Sequence, residues 1–209
     1  MAVQQPPIPA FGVTGGIGSG KSAVCTILKR MEVPVLSADL IARDLSVADS
    51  VVRRKIIALL GPSAYRSDGS YDRPFVAERV FSDSTIQHKL ESIVHPAVER
   101  ALFERLASLK AAGRAFAAVE AALVFEAGMD RWLRAVVVVE APEQLRIERV
   151  MTRDGVDAAS VLRRMRAQLS AAEIRKRADI VIENDGSPAE LEPRVHFALT
   201  ILRTLMKKG

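Results

Sequence analysis

A glycine-rich stretch near the start of the chain has the residue types needed to hold a phosphate group. Residues 15–22 read GGIGSGKS and fit the pattern G-x-x-x-x-G-K-[ST] at every fixed position. The glycines permit backbone conformations that turn consecutive N–H groups toward one anion. A helix beginning near Lys21 would direct its positive end at the same anion. The Lys21 ammonium can reach the β and γ phosphates, and the Ser22 hydroxyl can ligate Mg²⁺.

The sequence on either side of this stretch favours binding of a nucleoside triphosphate. A short apolar run at 10–13 precedes it and a helical pattern at 23–31 follows it. Strand, loop and helix therefore occur in the order that the motif requires. A glycine-rich turn without a ligand is the alternative. The motif leaves open whether the γ-phosphate passes to water, passes to a small molecule or is coupled to movement.

Further along the chain, one carboxylate and two arginines could act on a bound triphosphate. Asp39 follows the second apolar run; it could accept a proton or could cap a helix at 40–45. Arg149 and Arg153 lie four residues apart and share one face of a predicted helix. The pair could clamp phosphate oxygens through forked hydrogen bonds, or form a solvated basic face. Arg164 is a further candidate for the clamp.

Composition excludes several classes of protein. The chain has 209 residues and is 49% hydrophobic, which argues against global disorder and suits one domain. Its single cysteine, Cys25, cannot form an internal disulfide, so a reducing compartment is favoured. No apolar run is long enough to span a membrane, and residues 1–9, with three prolines, are expected to form a flexible tail. A cytoplasmic protein is expected.

The net charge of +5 is concentrated in one segment. Residues 143–177 hold nine basic and five acidic side chains, and therefore carry +4 of it. The segment lacks the interleaved aromatic residues typical of a surface that binds single-stranded nucleic acid. We therefore expect a local phosphate clamp and no nucleic-acid partner.

The spacing of apolar runs predicts an α/β architecture. The runs have the length of strands and alternate with helical patterns; they are 10–14, 33–36, 116–121, 135–139 and 179–182. Such alternation is typical of a parallel sheet with helices on both faces. The chain between the second and third runs is too long for one crossover helix, and a helical insertion at about 50–112 is expected, with polar breaks at 66–73 and at His95-Pro96. A second helical segment, at about 141–178, is expected to form a lid within a single domain covering 10–209.

Several short motifs occur along the chain in a fixed order. They are TGGIGSGKS, SADLIAR at 37–43, Asp72-Arg73, His95-Pro96, residues 144–153, RMRAQ at 164–168, Ala178-Asp179 and Asn184-Asp185-Gly186. As an ordered set they resemble the dephospho-coenzyme A kinase family, over about residues 11–191. The resemblance implies transfer of the γ-phosphoryl group of ATP to the ribose 3′-hydroxyl of dephospho-coenzyme A, which gives coenzyme A and ADP in the last step of coenzyme A synthesis.

The resemblance also implies a fold and a set of partners. The fold would be a P-loop three-layer α/β/α arrangement, similar to nucleoside monophosphate kinases, with a five-stranded parallel sheet, a helical acceptor-binding insertion and a helical lid. ATP and Mg²⁺ would be required. Dephospho-coenzyme A would be the small-molecule partner of a monomer or small homo-oligomer, with no membrane and no nucleic acid involved.

Roles for individual residues follow from the same resemblance. Asp39 would accept the proton of the ribose hydroxyl or orient it through Mg²⁺ and water, and Lys21 and Arg149 would complete the catalytic set. The nucleotide would contact Gly15, Gly16, Gly18, Ser19, Gly20, Lys21, Ser22, Ala23, Arg153 and Asn184. The acceptor would contact Asp39, Arg73, His95, Leu123, Glu126 and Arg149. Ser22 and Asp39 would hold the metal.

Some of these residues have a structural alternative. Leu123 could belong to the core, His95 could break or cap a helix, and Asn184 could form a turn. Trp132 and Cys25 are expected to serve packing.

The sequence departs from the family pattern at two positions. Ser37 stands where the first aspartate of the family's Asp-x-Asp is usual, and Ala122 stands where the family has proline. These departures keep open the alternative of a nucleotide-binding regulatory module without chemistry. Within the kinase class, a P-loop kinase of another small acceptor, such as a nucleoside monophosphate or a shikimate-like alcohol, is the other alternative.

Overall fold

The computed structural model describes residues 4–207. Within that range the strands form one five-stranded sheet in which neighbouring strands are all parallel, in the order β2-β3-β1-β4-β5. The strands are β1 Ala10–Thr14, β2 Val35–Ser37, β3 Ala117–Glu120, β4 Ala135–Glu140 and β5 Ile180–Glu183. The predicted α/β fold with a five-stranded parallel sheet is confirmed.

Both faces of the sheet are covered. Phe11, Val13 and Val137 pack on one face with apolar residues from two helices, α1 (Lys21–Arg30) and α9 (Pro188–Lys207). On the other face a methyl group added to Gly12 would meet Leu133 and Val124, from the segment that follows β3. Strand β4 is buried along its length except at its last residue, as its run of four valines predicts for a strand covered on both sides.

The remaining helices are distributed along the rest of the chain. They are α2 Ala38–Ala48, α3 Ser50–Leu60, α4 Arg73–Ser82, α5 Ser84–Ala111, α6 Glu143–Asp154, α7 Ala158–Arg166 and α8 Ala171–Lys176. Short 3₁₀ turns lie at Pro62–Ala64 and Met129–Arg131. None of the helices between residues 4 and 207 combines the length and apolar character needed to cross a membrane.

The chain divides into two compact units. One consists of Met1–Ser37 with Leu106–Gly209 and contains the sheet; the other is Ala38–Arg105 and is helical. The helical unit has its own core, in which Val52, Ile56 and Tyr65 are buried. The insertion that the sequence predicted at about 50–112 thus begins earlier, because α2 follows β2 without a linker and belongs to the helical unit.

One of the two predicted polar breaks is correct and the other is wrong. Residues 66–70 form a reverse turn closed by a β-bridge between Tyr65 and Tyr71. By contrast, α5 runs through His95 and Pro96 without interruption. Proline lacks an N–H and removes one helical hydrogen bond. The helix is held by its other hydrogen bonds and by buried residues just beyond, including Val98 and Leu102.

The last residues of the expected N-terminal tail, Ile8 and Pro9, are held by the rest of the structure. Residues 1–3 of the expected tail lie outside the described residues. Ile8, which was expected in the tail, is 6% exposed, and the carbonyl of Pro9 accepts a hydrogen bond from the N–H of Ala117. Ile8 is therefore buried, and Pro9 is hydrogen-bonded to the first residue of β3.

Candidate active site

The glycine-rich stretch forms the loop that joins β1 to α1, and residues 15–22 are called the phosphate loop from here on. Gly18 and Gly20 have φ angles of 79° and 93°, in the left-handed region that glycine adopts at no steric cost. A side chain at Gly20 would also collide with the amide of Asn184. The motif glycines are therefore required by this backbone, as the sequence predicted.

Positive charge converges on this loop. Helix α1 begins at Lys21 and has no acidic residue in its own first turn to offset the positive end of its dipole. The Lys21 ammonium donates to the carbonyl of Gly15 at 2.6 Å, which keeps it at the loop. Among the described residues, the hydroxyl of Ser19 is the buried side-chain polar atom that has no hydrogen-bond partner. An anion in the loop could therefore be bound by a lysine, a helix N-terminus and backbone N–H groups.

Asn184 is bound to the phosphate loop. Its side-chain amide donates to the carbonyl of Ser19 at 2.8 Å, and its backbone N–H donates to the carbonyl of Glu140 at 2.7 Å. The residue is 6% exposed, so its polar groups need such partners. A turn-forming role does not explain these contacts; Asn184 braces the loop from the end of β5.

Arg149 and Arg153 both lie on α6, four residues apart as predicted, but their side chains bind different partners. Arg149 is half-buried and donates to the backbone carbonyl of Asn184 at 3.0 Å, beside the phosphate loop. Arg153 is exposed, and its guanidinium binds both oxygens of Asp154. Arg164 donates to the same carboxylate at 2.8 Å. These hydrogen bonds, with that of Arg153 the strongest, lower the pKa of Asp154 below its ordinary value. Arg149 is thus hydrogen-bonded to a residue that touches the loop, whereas Arg153 and Arg164 are hydrogen-bonded to Asp154.

Asp39 lies in the first turn of α2, two residues after the end of β2, and its side chain is exposed. Because the helix begins at Ala38, Asp39 lies inside the first turn rather than at the capping position considered from the sequence. A carboxylate there still interacts favourably with the helix N-terminus. The position therefore does not suit the capping role, and the role of Asp39 as a proton acceptor stays a prediction.

The predicted acceptor residues fall in both units. In the sheet unit, Glu126 follows β3 and accepts a hydrogen bond from the N–H of Leu169 at 3.2 Å, while Leu123 is half-buried. In the helical unit, Arg73 is exposed at the start of α4. His95 is half-buried in α5, where burial lowers its pKa and the nearby Glu91 partly opposes that shift.

Two residues in contact with the phosphate loop were not singled out from the sequence. Arg146, on α6, donates from Nε to the carbonyl of Ile17 at 2.9 Å. Gln168, just after α7, accepts from the N–H of Ile17 at 2.9 Å. From the sequence, Arg146 had entered as one positive charge in a basic segment and as part of the motif at 144–153, and Gln168 as the last residue of RMRAQ, with no role given to either. The position of Arg146 three residues before Arg149, on the same helical face, is the signal that could have found it.

A cavity of about 840 Å³ opens beside the loop in the sheet unit. Gly16 and Ser19 of the loop line it, together with the end of β4 and side chains of α6, α7 and α8. Arg146 and Gln168 stand in its wall. Its lining combines apolar residues, such as Leu162 and Met165, with charged ones. Such a mixture is typical of pockets that bind small molecules.

The two residues expected to serve packing do so. Trp132 is 3% exposed. Cys25 lies in the core between α1 and the sheet, and burial raises the pKa of its thiol to about 12.

The fold and the loop define the class of protein. A five-stranded parallel sheet whose first strand leads through a GxxxxGKS loop into a helix is that of a P-loop kinase. A family model for dephospho-CoA kinase matches residues 10–190. The chain belongs to the dephospho-CoA kinase family, whose reaction is the last step of coenzyme A biosynthesis and whose members use ATP.

Individual relatives agree with this assignment. The dephospho-CoA kinase of Salinibacter ruber is 42% identical over 193 residues, covering 91% of this chain and 97% of that protein. A Thermus thermophilus protein of known structure superimposes with a TM-score of 0.82 at 37% identity, covering 95% of this chain and 99% of that one. The dephospho-CoA kinase from Campylobacter jejuni superimposes with a TM-score of 0.67 at 27% identity, covering 92% and 96%.

Proposed function

We propose that this chain transfers the γ-phosphoryl group of ATP to the ribose 3′-hydroxyl of dephospho-coenzyme A, giving coenzyme A and ADP. The observation that carries the proposal is the phosphate loop, with its helix N-terminus and Lys21, in a chain that matches the family model over residues 10–190. The bond that forms joins the 3′-oxygen to the γ-phosphorus. The bond that breaks joins that phosphorus to the β-bridging oxygen, which leaves with ADP.

Most of the rate in such a transfer comes from positioning and from neutralising charge. The residues proposed to bind the triphosphate are Gly15, Gly16, Gly18, Ser19, Gly20, Lys21, Ser22 and Ala23. Of the lid arginines expected to act on the nucleotide, Arg149 supports this proposal best, because it is half-buried and bonded to Asn184, which itself binds Ser19. Arg153 would first have to exchange the carboxylate of Asp154 for a phosphate oxygen.

Ser22 and Asp39 are the residues proposed to hold Mg²⁺. The hydroxyl of Ser22 is exposed at the start of α1, and both groups offer oxygen, the ligand that Mg²⁺ prefers. Residues 4–207 contain no group of three or more histidine, cysteine or acidic side chains able to hold a metal alone. That fits an ion held by one or two protein oxygens together with phosphate oxygens. When bound, the ion would neutralise charge on the phosphates.

Asp39 is proposed to accept the proton that the ribose hydroxyl loses as it attacks. Its exposure in the first turn of α2 leaves the carboxylate accessible to a substrate. Arg73, His95, Leu123 and Glu126 are proposed to contact the acceptor. Of these, Glu126 follows the carboxyl end of β3, the edge at which parallel sheets bind ligands.

Mass spectrometry of the product tests the proposed reaction directly. With ATP and dephospho-coenzyme A, we expect one added phosphate on the ribose and ADP release that saturates with the acceptor. AMP and shikimate are the matched comparison acceptors. Turnover on either one, with none on dephospho-coenzyme A, would contradict the proposal. Nucleotide binding without turnover on any acceptor would favour the regulatory module.

We further propose that the enzyme acts in the cytoplasm, as a monomer or small homo-oligomer, without binding nucleic acid. The pairing of its arginines supports the last point. Arg175 binds Glu140, Arg177 binds Asp130, and Arg153 and Arg164 share Asp154. These carboxylates offset the basic segment that a phosphate backbone would have to contact. Affinity for a generic duplex that falls steeply with added salt would contradict this part of the proposal.

A further inference from the structure

Ile17, at the tip of the phosphate loop, has both of its backbone polar groups bound by side chains from α6 to α8. Its N–H donates to Oε1 of Gln168 at 2.9 Å, and its carbonyl accepts from Nε of Arg146 at 2.9 Å. These side chains lie 151 and 129 residues away in the sequence. The loop tip is therefore held by a distant part of the chain rather than by its own neighbours.

The side chain of Ile17 makes a third contact with the same part of the chain. It packs against the small apolar cluster formed by Ile147, Val150 and Val161, which are buried residues of α6 and α7. Backbone and side chain of one residue are thus both held by these two helices and the turn after them.

Arg146 is fitted closely to the loop. A methyl group added to Gly16 would overlap its guanidinium, and one added to Gly18 would overlap its backbone carbonyl. Burial lowers the pKa of Arg146, although Glu143 and Glu140 partly oppose that effect. The side chain packs against the loop instead of extending into solvent.

We propose that Arg146 and Gln168 are positioning residues that hold the phosphate loop in its nucleotide-binding conformation, with Ile17 as the anchored residue. The inference rests on the proposed function in one respect, that the loop binds ATP. A loop free to adopt other conformations would present its N–H groups to the phosphates only part of the time. The apparent dissociation constant rises as the binding-competent fraction falls.

Calorimetric titration of ATP in the absence of acceptor tests the proposal. We expect Arg146→Met and Gln168→Leu each to raise the dissociation constant of ATP about tenfold, because each variant removes one of the two side-chain hydrogen bonds that hold Ile17. Arg146→Lys keeps a charged donor and should recover part of the loss. Arg163→Met is the matched control: Arg163 is an exposed arginine of α7 that bonds Ser160 on its own helix, and its loss should leave ATP binding unchanged.

Two further measurements separate positioning from a general loss of stability. Because both side chains hold the same residue, the double variant should lose less affinity than the product of the single losses. In turnover assays KM for ATP should rise while KM for dephospho-coenzyme A stays constant. A dissociation constant for ATP within twofold of wild type in either folded single variant would overturn the inference. A double variant whose loss of ATP affinity equals the product of the two single losses would also overturn it.

The outcome for this inference is distinct from the outcome for the proposed reaction. If wild-type protein fails to phosphorylate dephospho-coenzyme A, the proposed function fails, yet the ATP titrations still decide whether the loop is held as described. Thermal unfolding identifies variants that do not fold. If Arg146→Met is one of them, Gln168→Leu and Arg146→Lys supply the same comparison.

Discussion

At the scale of single residues, Asp39 is the side chain on which the proposed chemistry depends most. Replacing it with asparagine keeps its size and removes the proton acceptor. We expect Asp39→Asn to lower turnover by a factor on the order of 10² or more, the usual scale for loss of a general base. Thermal stability should change little, since a charge in the first turn of a helix contributes only about 0.3–1 kcal/mol. ATP affinity should also change little, because asparagine keeps an oxygen that can ligate Mg²⁺. Steady-state turnover, ATP titration and thermal unfolding make the three measurements.

Asp44→Asn is the matched control, because Asp44 is exposed on the same helix and pairs with the neighbouring Arg43. It should keep wild-type turnover. A purely structural role of Asp39 would show the opposite pattern, with turnover retained and a lower melting temperature in Asp39→Asn.

Cys25 gives a second prediction at the residue scale. Its thiol is 2% exposed, and burial raises its pKa to about 12. Because the thiolate is the reactive form, native protein should resist a thiol reagent such as Ellman's at pH 8. In 6 M guanidinium one equivalent should react at once. Rapid reaction of the native protein would show that the core around α1 opens far more readily than its packing indicates.

At the scale of elements, the interior proline of α5 costs a backbone hydrogen bond. Pro96 has no N–H to donate to the carbonyl of Ser92, four residues earlier in the helix. A proline in a helix interior is unfavourable by about 3 kcal/mol relative to alanine. Pro96→Ala should therefore raise the free energy of unfolding by about 1–3 kcal/mol in urea denaturation. Lys89→Ala, at an exposed position of the same helix, should change it by less than about 0.5 kcal/mol. Destabilisation by Pro96→Ala would show that the proline is needed for the local packing.

Elements that depend on local sequence were predictable, whereas contacts between distant segments were not. β1, the phosphate loop and α1 follow from a motif whose residues are contiguous, and β4 follows from a run of valines. The brace from Asn184 to Ser19 joins residues 165 apart. No periodicity or spacing indicates such a pair. From the sequence, the roles predicted for Asn184 were therefore a turn or a contact with the nucleotide.

The same limit applies to charge. Within residues 143–177 the basic surplus was visible, but two of its carboxylate partners, Glu140 and Asp130, lie outside that segment. Counting charges along the chain therefore overstated how much positive charge is left for a ligand. The structure assigns those arginines to ion pairs between neighbouring elements.

At the scale of the whole molecule, the layers of the fold could be predicted from the sequence, but the boundaries of the units could not. The parallel sheet follows from apolar runs, since burial on both faces leaves a compositional trace. The boundary between Ser37 and Ala38 has no such signal in the sequence, because β2 passes directly into α2 without glycine, proline or a polar linker. Unit boundaries depend on which residues share a core, and that is decided by packing.

Stability of the whole molecule should depend on pH in two stages. The carboxylates with lowered pKa values accept hydrogen bonds in the folded chain; they are Asp49, Asp68, Asp72, Asp83, Asp154, Asp157, Glu173, Asp185 and Glu190. Because the folded pKa values lie below the unfolded ones, their stabilisation is present above about pH 4.5 and is lost as the pH falls through the folded values.

Titration of His95 should change the stability of the fold at a higher pH than the carboxylates do. Burial lowers its pKa from 6.5, so the unfolded chain takes up a proton first, and the stability present above pH 6.5 is lost as the pH falls toward the folded value. Urea midpoints between pH 3 and 8 should therefore decline gently below about pH 6.5 and steeply below about pH 4.5. His95→Gln should lack the first decline and keep the second, because glutamine does not titrate while the carboxylates remain. A wild-type profile that is level from pH 6.5 to 5 would mean that the imidazole in α5 is as well solvated in the folded chain as in the unfolded one.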